Sequence, residues 1–108
     1  MSSIFHANPA DLDWSSYESE VGPVAIRFKA LTLGAAGVPG VQYIEYGPGQ
    51  TDPVHHHDVG EFFIVTTGDM WVNDEPVVEG GVVFIPGNTD YQVRAGARGV
   101  EYFRVVVA

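Results

Sequence analysis

Cysteine is absent from the 108 residues, which excludes disulfides and thiolate metal sites and leaves the redox compartment unreadable from cysteine usage. Basic residues are scarce: 5 Lys and Arg stand against 14 Asp and Glu, for a net charge of −9. With no basic patch to meet phosphates, a nucleic-acid partner is not expected, and an anionic membrane surface is disfavoured for the same reason. No apolar run approaches the ~18–20 residues that a membrane-spanning helix needs. No basic-then-apolar segment at the N-terminus has the character of a signal peptide, so a soluble, cytoplasmic protein is expected. Helical periodicity is missing too, since no stretch sustains three turns of it.

What remains is a chain of short β-prone segments cut by turns. Thirteen glycines and seven prolines suit tight connections. The length allows one domain with a single core. Residues 1–21 are polar and Ser-rich and read as an N-terminal arm, with a turn or single helical turn at Asn8-Pro9-Ala10-Asp11 and with Trp14 and Tyr17 as apolar anchors. His6 in this arm reads as solvated. From residue 22 to 108 a barrel domain is expected. Val24, Ile26 and Phe28 alternate with Ala25, Arg27 and Lys29, the pattern of a half-buried strand. Further strands are read at Val41 to Tyr46, Glu61 to Thr66, Met70 to Val72, Val77-Val78, Val82 to Ile85, Tyr91 to Arg94 and Val100 to Val107. Gly34 to Gly40, Gly68-Asp69 and Ala95 to Gly99 read as loops or turns. Many short strands with turn signals every ~8–12 residues argue a sandwich or barrel.

One segment carries chemistry. In Pro53-Val54-His55-His56-His57-Asp58-Val59-Gly60-Glu61, His55 and His57 are two apart and Glu61 follows at a further even offset. An extended chain sends alternate side chains to one face, so these three point one way and His56 the other. Two imidazoles and one carboxylate around a point form the facial triad with open coordination positions that suits non-haem iron. The bland alternative is a solvated or structural histidine run. Its internal position between patterned strands separates it from a purification tag.

The stretch from Gly49 to Gly68 resembles the first signature of the cupin family: Gly, five residues, His-x-His, three residues, Glu, six residues, Gly. Gly49, His55, His57, Glu61 and Gly68 match at every interval, and Pro53 sits where such segments often turn. The resemblance spans residues 22 to 107 and implies an all-β double-stranded β-helix, a jelly-roll barrel with the metal inside near its open end. The second cupin signature is followed in part. Gly80 and Pro86 match, Asn88 stands where Gly is usual, and Ala95 replaces the closing Asn. Asn is a mild change because it tolerates left-handed backbone. Tyr91 occupies the position of the third histidine ligand. Three roles stand open for it: a ligating phenolate, a proton donor or acceptor beside the metal, or the mark of a barrel that has lost its metal. Gln92 would reach a ligand only through a slip of register, which the pleat penalises.

The family resemblance implies a metal-dependent enzyme acting on a small organic molecule. The divalent transition metal would be iron first, with Mn, Ni or Zn as alternatives, held by His55, His57, Glu61 and, if it ligates, Tyr91. Glu61 and Tyr91 are the catalytic candidates. Oxygenase-type chemistry leads, ahead of isomerase, cyclase or lyase chemistry. The alternative from a different class is a non-catalytic ligand-binding module with a structural or lost metal. A homodimer is expected, with the arm crossing onto a partner barrel. Other residues carry weaker expectations. Tyr43 and Glu45 share one strand face and Ile44 and Tyr46 the other, and one pair should line the interior. Phe63, Val65, Phe84 and Val93 are expected inside, and Trp71, Tyr102 and Phe103 in the core or an interface. Arg27 and Arg104 would meet a substrate carboxylate if they face inward.

Overall fold

Alternating apolar and polar residues turn most of the chain into antiparallel strands, as the computed structural model shows for residues 4–18, 25–34 and 38–107. A single 3-10 turn at Pro9–Asp11 precedes them. The strands are β1 (Ser15–Glu18), β2 (Ala25–Leu33), β3 (Gly40–Tyr46), β4 (Gly60–Val72), β5 (Glu75–Val77), β6 (Val82–Ile85) and β7 (Val93–Val107). They pair in the order β1-β2-β3-β7-β4-β5, with β6 also on β4. Every ladder is antiparallel. Among the described residues no helix is long and apolar enough to cross a membrane. This is the all-β architecture expected.

β4 and β7 are the frame. They pair along their length, from Gly60 opposite Val107 to Val72 opposite Val93, with register shifts at Val65/Thr67 and Gly68/Met70. The first shift adds Thr66 to β4; the second leaves Asp69 of β4 and residues 96–99 of β7 unpaired, and across the two the buried face of β4 changes parity. Before the shifts, odd positions of β4 are buried (Glu61, Phe63, Val65); after them, even positions are (Met70, Val72). The segments read as a turn at Gly68-Asp69 and a loop at Ala95 to Gly99 are therefore irregular stretches inside two long strands. Gly68 has φ +75, and a Cβ there would lie 2.1 Å from the Gly99 carbonyl oxygen. Only glycine permits both that conformation and that approach.

The core lies between the two halves of the bent ladder. Phe63, Val65, Met70, Val93 and Tyr102 are at most 2% exposed. Each such side chain contributes roughly 1.5–3 kcal/mol by leaving water. Ile44 and Tyr46 are the inward pair of β3. Glu45 on the other face pairs with Arg27 at 3.0 Å, so that face is the solvated one.

Three further expectations change. Phe84 is 48% exposed, because in the short strand β6 Ile85 is the buried position and its neighbour points out. Ser15–Glu18 is a strand, although no alternation announces it: it is held by backbone pairing with Phe28 to Ala25. Residues 77 and 78 do not both extend a hairpin, since β5 ends at Val77. Val24 and the side chain of Tyr17 lie outside the described residues. Trp14 anchors as expected, stacked on Tyr43 at 5.8 Å with Arg27 and Lys29 over its ring.

Candidate functional site

The site begins with backbone hydrogen bonds between two loop segments. The His55 N–H donates to the Tyr91 carbonyl at 2.9 Å, and the Tyr91 N–H returns a bond to the His55 carbonyl at 2.8 Å. This reciprocal bridge puts opposed side chains on one face. The His55 and Tyr91 rings are accordingly 4.5 Å apart, and His57 stands 5.1 Å from His55 and 6.2 Å from Tyr91. The Asn88 N–H donates to the His57 carbonyl at 2.6 Å, tying down the turn before Tyr91. Asn88 takes φ 59, the left-handed conformation for which Asn at a usual glycine position is suited. His56 is exposed and pairs with Asp90 at 3.1 Å, on the opposite side as its parity requires. Gln92 also faces away, donating to the Asp52 carbonyl at 2.9 Å.

Glu61 comes from the start of β4 and is 1% exposed. Its Oε2 accepts a short bond from Arg104 Nε, and Arg104 Nη1 donates to Gln42 Oε1 at 3.1 Å. Glu61 Oε1 is buried and has no hydrogen-bond partner among the described residues. A buried carboxylate oxygen left unsatisfied costs on the order of 1–3 kcal/mol, so something normally meets it.

Burial and the nearby Glu61 charge push the Tyr91 phenol well above its usual pKa, so it stays protonated at neutral pH. Burial lowers the His57 pKa; Glu61 opposes that shift and Arg104 reinforces it. His57 is thus a neutral imidazole with a lone pair to offer at neutral pH. His55 Nδ1 lies 3.0 Å from the Pro53 carbonyl, which accepts from it and orients the ring.

Behind His55 lies a second buried carboxylate. Asp52, 3% exposed, accepts from Tyr46 Oη at 2.9 Å and from the Val93 N–H at 2.7 Å, and its Oδ2 is 3.8 Å from His55 Nδ1. Burial pushes the Asp52 carboxyl above the usual carboxylate range, against the pull of those hydrogen bonds.

His55, His57, Glu61 and Tyr91, singled out from spacing and signature, thus occur in one neighbourhood. Phe63 extends it, its ring 5.9 Å from Tyr91. Arg104 turns inward and meets Glu61, whereas Arg27 does not. The Arg104–Glu61 pairing was missed because it joins residues 43 apart through β-sheet register. One signal marked Arg104 itself, though not its partner: it is the lone basic residue in the apolar run Val100 to Val107.

The donor types fit a divalent transition metal: two imidazoles and a carboxylate whose buried Oε1 lacks a partner. As the side chains stand, no three His, Cys, Asp or Glu groups among the described residues are gathered around a common point for a metal.

No family model and no curated protein sequence matches the chain. Solved structures do. A cupin-2 domain protein from Rhodospirillum rubrum superposes with a TM-score of 0.74 at 23% identity, covering 99% of this chain and 76% of that one. The polyketide cyclase RemF from Streptomyces resistomycificus gives 0.76 at 17% identity, covering 96% and 79%. A chain of the Rhodobacter sphaeroides complex of SigE with the anti-sigma ChrR gives 0.74 at 16% identity, covering 93% of this chain. The chain spans about half, 52%, of that last match. These likenesses establish the fold and leave the chemistry to the residues.

Proposed function

We propose that this cupin-fold protein is a metal-dependent enzyme acting on a small organic molecule at His55, His57 and Glu61. The observation that carries the reading is the buried, partnerless Oε1 of Glu61 beside two imidazoles. A metal bound there would supply a Lewis acid or redox centre with open positions for substrate oxygens. The chain's own residues do the rest. His57 offers a neutral nitrogen, His55 is oriented by its Nδ1 contact with the Pro53 carbonyl, and Glu61 offers one oxygen while Arg104 fixes the other. Tyr91 holds a proton on its phenol oxygen beside Glu61, in place to donate to a substrate oxygen. Phe63 and Tyr102 keep water from the inner wall. Oxygenase-type chemistry is the leading class, with isomerase, cyclase or lyase chemistry behind it; RemF, which has this fold, is a cyclase.

Elemental analysis of untagged protein and of His57→Ala tests this. About one equivalent of iron or another transition metal is expected in the parent and none in the variant, with the strand signal in circular dichroism retained. Equal metal in both proteins would remove the assignment. Glu61→Gln should then abolish turnover.

The Arg104–Glu61 pair favours a second reading, in which the barrel binds a small ligand without catalysis because Arg104 already supplies the cation Glu61 needs. Ligand binding that survives chelation would select it.

We further propose a homodimer. Phe62, Phe84 and Val82 are 36%, 48% and 57% exposed on the outer side of β4 and β6, and a contiguous apolar surface of that kind suits a second copy. A sedimentation mass of one chain at micromolar concentration would rule it out.

A further inference from the structure

The edge of a sheet is a row of unpaired backbone donors and acceptors, and this molecule leaves one such edge unguarded. Strand β6 pairs with β4 alone. The Val65 N–H donates to the Gly81 carbonyl at 2.9 Å, which fixes the parity of that ladder. Val83 and Ile85, opposite Phe63 and Glu61, therefore turn their N–H and C=O groups toward β4. Val82 and Phe84 turn theirs outward, where no described residue pairs with them. Their side chains are also 57% and 48% exposed, with the Phe84 ring 4.8 Å from that of Phe62. Charge or proline normally blunts an edge strand. β1 carries Ser15, Ser16 and Glu18, and β5 carries Glu75 and Pro76, whereas β6 reads Val82-Val83-Phe84-Ile85 with no such guard.

We infer that the β6 edge binds a second copy of this chain through antiparallel β6–β6 pairing, joining the two barrels by one continuous sheet. The inference deepens the homodimer reading above and rests on it. The parity of the outward groups sets the register. Val82 faces the partner's Phe84, and Phe84 the partner's Val82, each pair exchanging its N–H···O=C bonds, while Val83 faces the partner's Val83 at the two-fold axis. The ladder ends where Gly80 would face the partner's Pro86, which has no N–H to donate. Charge selects the occupant. Each chain carries −9, so two copies repel wherever acidic surfaces meet. Along residues 79–87 Glu79 is the lone charged residue, and in this register it faces the partner's Gly87. The pairing also sets each Phe84 beside the partner's Val82, covering apolar side chains that one chain alone leaves in water.

The absence of cysteine from the chain makes the register directly testable. Residues facing each other across a non-hydrogen-bonded antiparallel pair lie close enough for a disulfide. Val83→Cys in the full chain should therefore oxidise in air to a covalent dimer on a non-reducing gel. Val78→Cys, at a position 61% exposed but remote from the axis, should stay unlinked. The second arm is sedimentation equilibrium of the parent and of Val82→Pro. Proline at 82 removes an outward N–H and leaves the bonds to β4 in place, so the dimer should weaken by on the order of tenfold or more. Val82→Ala, which keeps that N–H, should weaken it less. A folded Val82→Pro that dimerises as the parent does overturns the edge pairing, as does a Val83→Cys chain no more linked than Val78→Cys; both leave the homodimer reading intact. If Val82→Pro does not fold, the cysteine comparison decides. A parent that sediments as one chain removes the homodimer reading and this inference with it.

Discussion

Asp52 and Glu61 are both nearly inaccessible, at 3% and 1% exposure, yet Asp52 has both oxygens engaged and Glu61 has one left over. Asp52 accepts from the Tyr46 hydroxyl and the Val93 N–H, and the residue's carbonyl accepts from Gln92. It fastens the segment that carries the histidines to the start of β7. Glu61 has a cation on one oxygen, and its buried Oε1 has no hydrogen-bond partner among the described residues, with the Tyr91 phenol close to the carboxylate. A fully satisfied buried carboxylate acts as structure; a half-satisfied one is the more reactive of the two and is the one proposed above to take a ligand.

The contrast can be broken by mutation, and the largest effect is expected at Glu61. Arg104→Met leaves that carboxylate buried and unpaired and should cost about 3–5 kcal/mol in apo-protein stability, read by urea denaturation, with recovery when Mn2+ is added. Asp52→Ala strands the Tyr46 hydroxyl and the Val93 N–H, and a loss of about 2–3 kcal/mol is expected without any recovery on adding metal. Recovery in that variant would mean that the two carboxylates are not different in kind. The double replacement Glu61→Leu/Arg104→Met should leave the fold as stable as the parent or up to about 2 kcal/mol more stable, since well-packed apolar pairs replace buried ion pairs without loss. A large loss there would make the Glu61 pair a structural device after all. The smallest change is expected from Gln92→Ala, which removes a single bond to the Asp52 carbonyl and should cost about 1 kcal/mol in the same assay.

Local pattern made much of this legible. The even spacing of His55 and His57, the outward His56 and the left-handed Asn88 follow from backbone geometry over a few residues, and the structure has each of them. Ile44 and Tyr46 as an inward pair follow from parity alone, once either face is known to be buried. Long-range register is a different matter. That Arg104 meets Glu61 depends on how β7 lies against β4, with Phe63 opposite Arg104, and no local pattern encodes it. Parity also fails where a strand bulges. The odd positions of β4 give way to even ones beyond Gly68, so a reading that treats glycine and aspartate as turn-makers splits one strand into two. Phe84 was misplaced for a related reason: a four-residue edge strand offers too few positions to tell its inward face from its outward one.

The continuity of β4 and β7 has a consequence for how the molecule opens. Both strands pass through both halves of the barrel, and the Gly68–Gly99 approach locks them where they bend. The β4–β7 ladder is shared by both halves, whereas the β2–β3 and β4–β5 ladders each belong to one, and the shared ladder should make the halves melt as one cooperative unit. Amides of Glu61 and Phe63 should then exchange with deuterium on the same timescale as those of Val72 and Val93 at the far end, through global opening alone. Glu61 sits on the shared ladder and should open only with it, whereas His55 and Tyr91, joined by an isolated bridge outside the strands, can loosen independently.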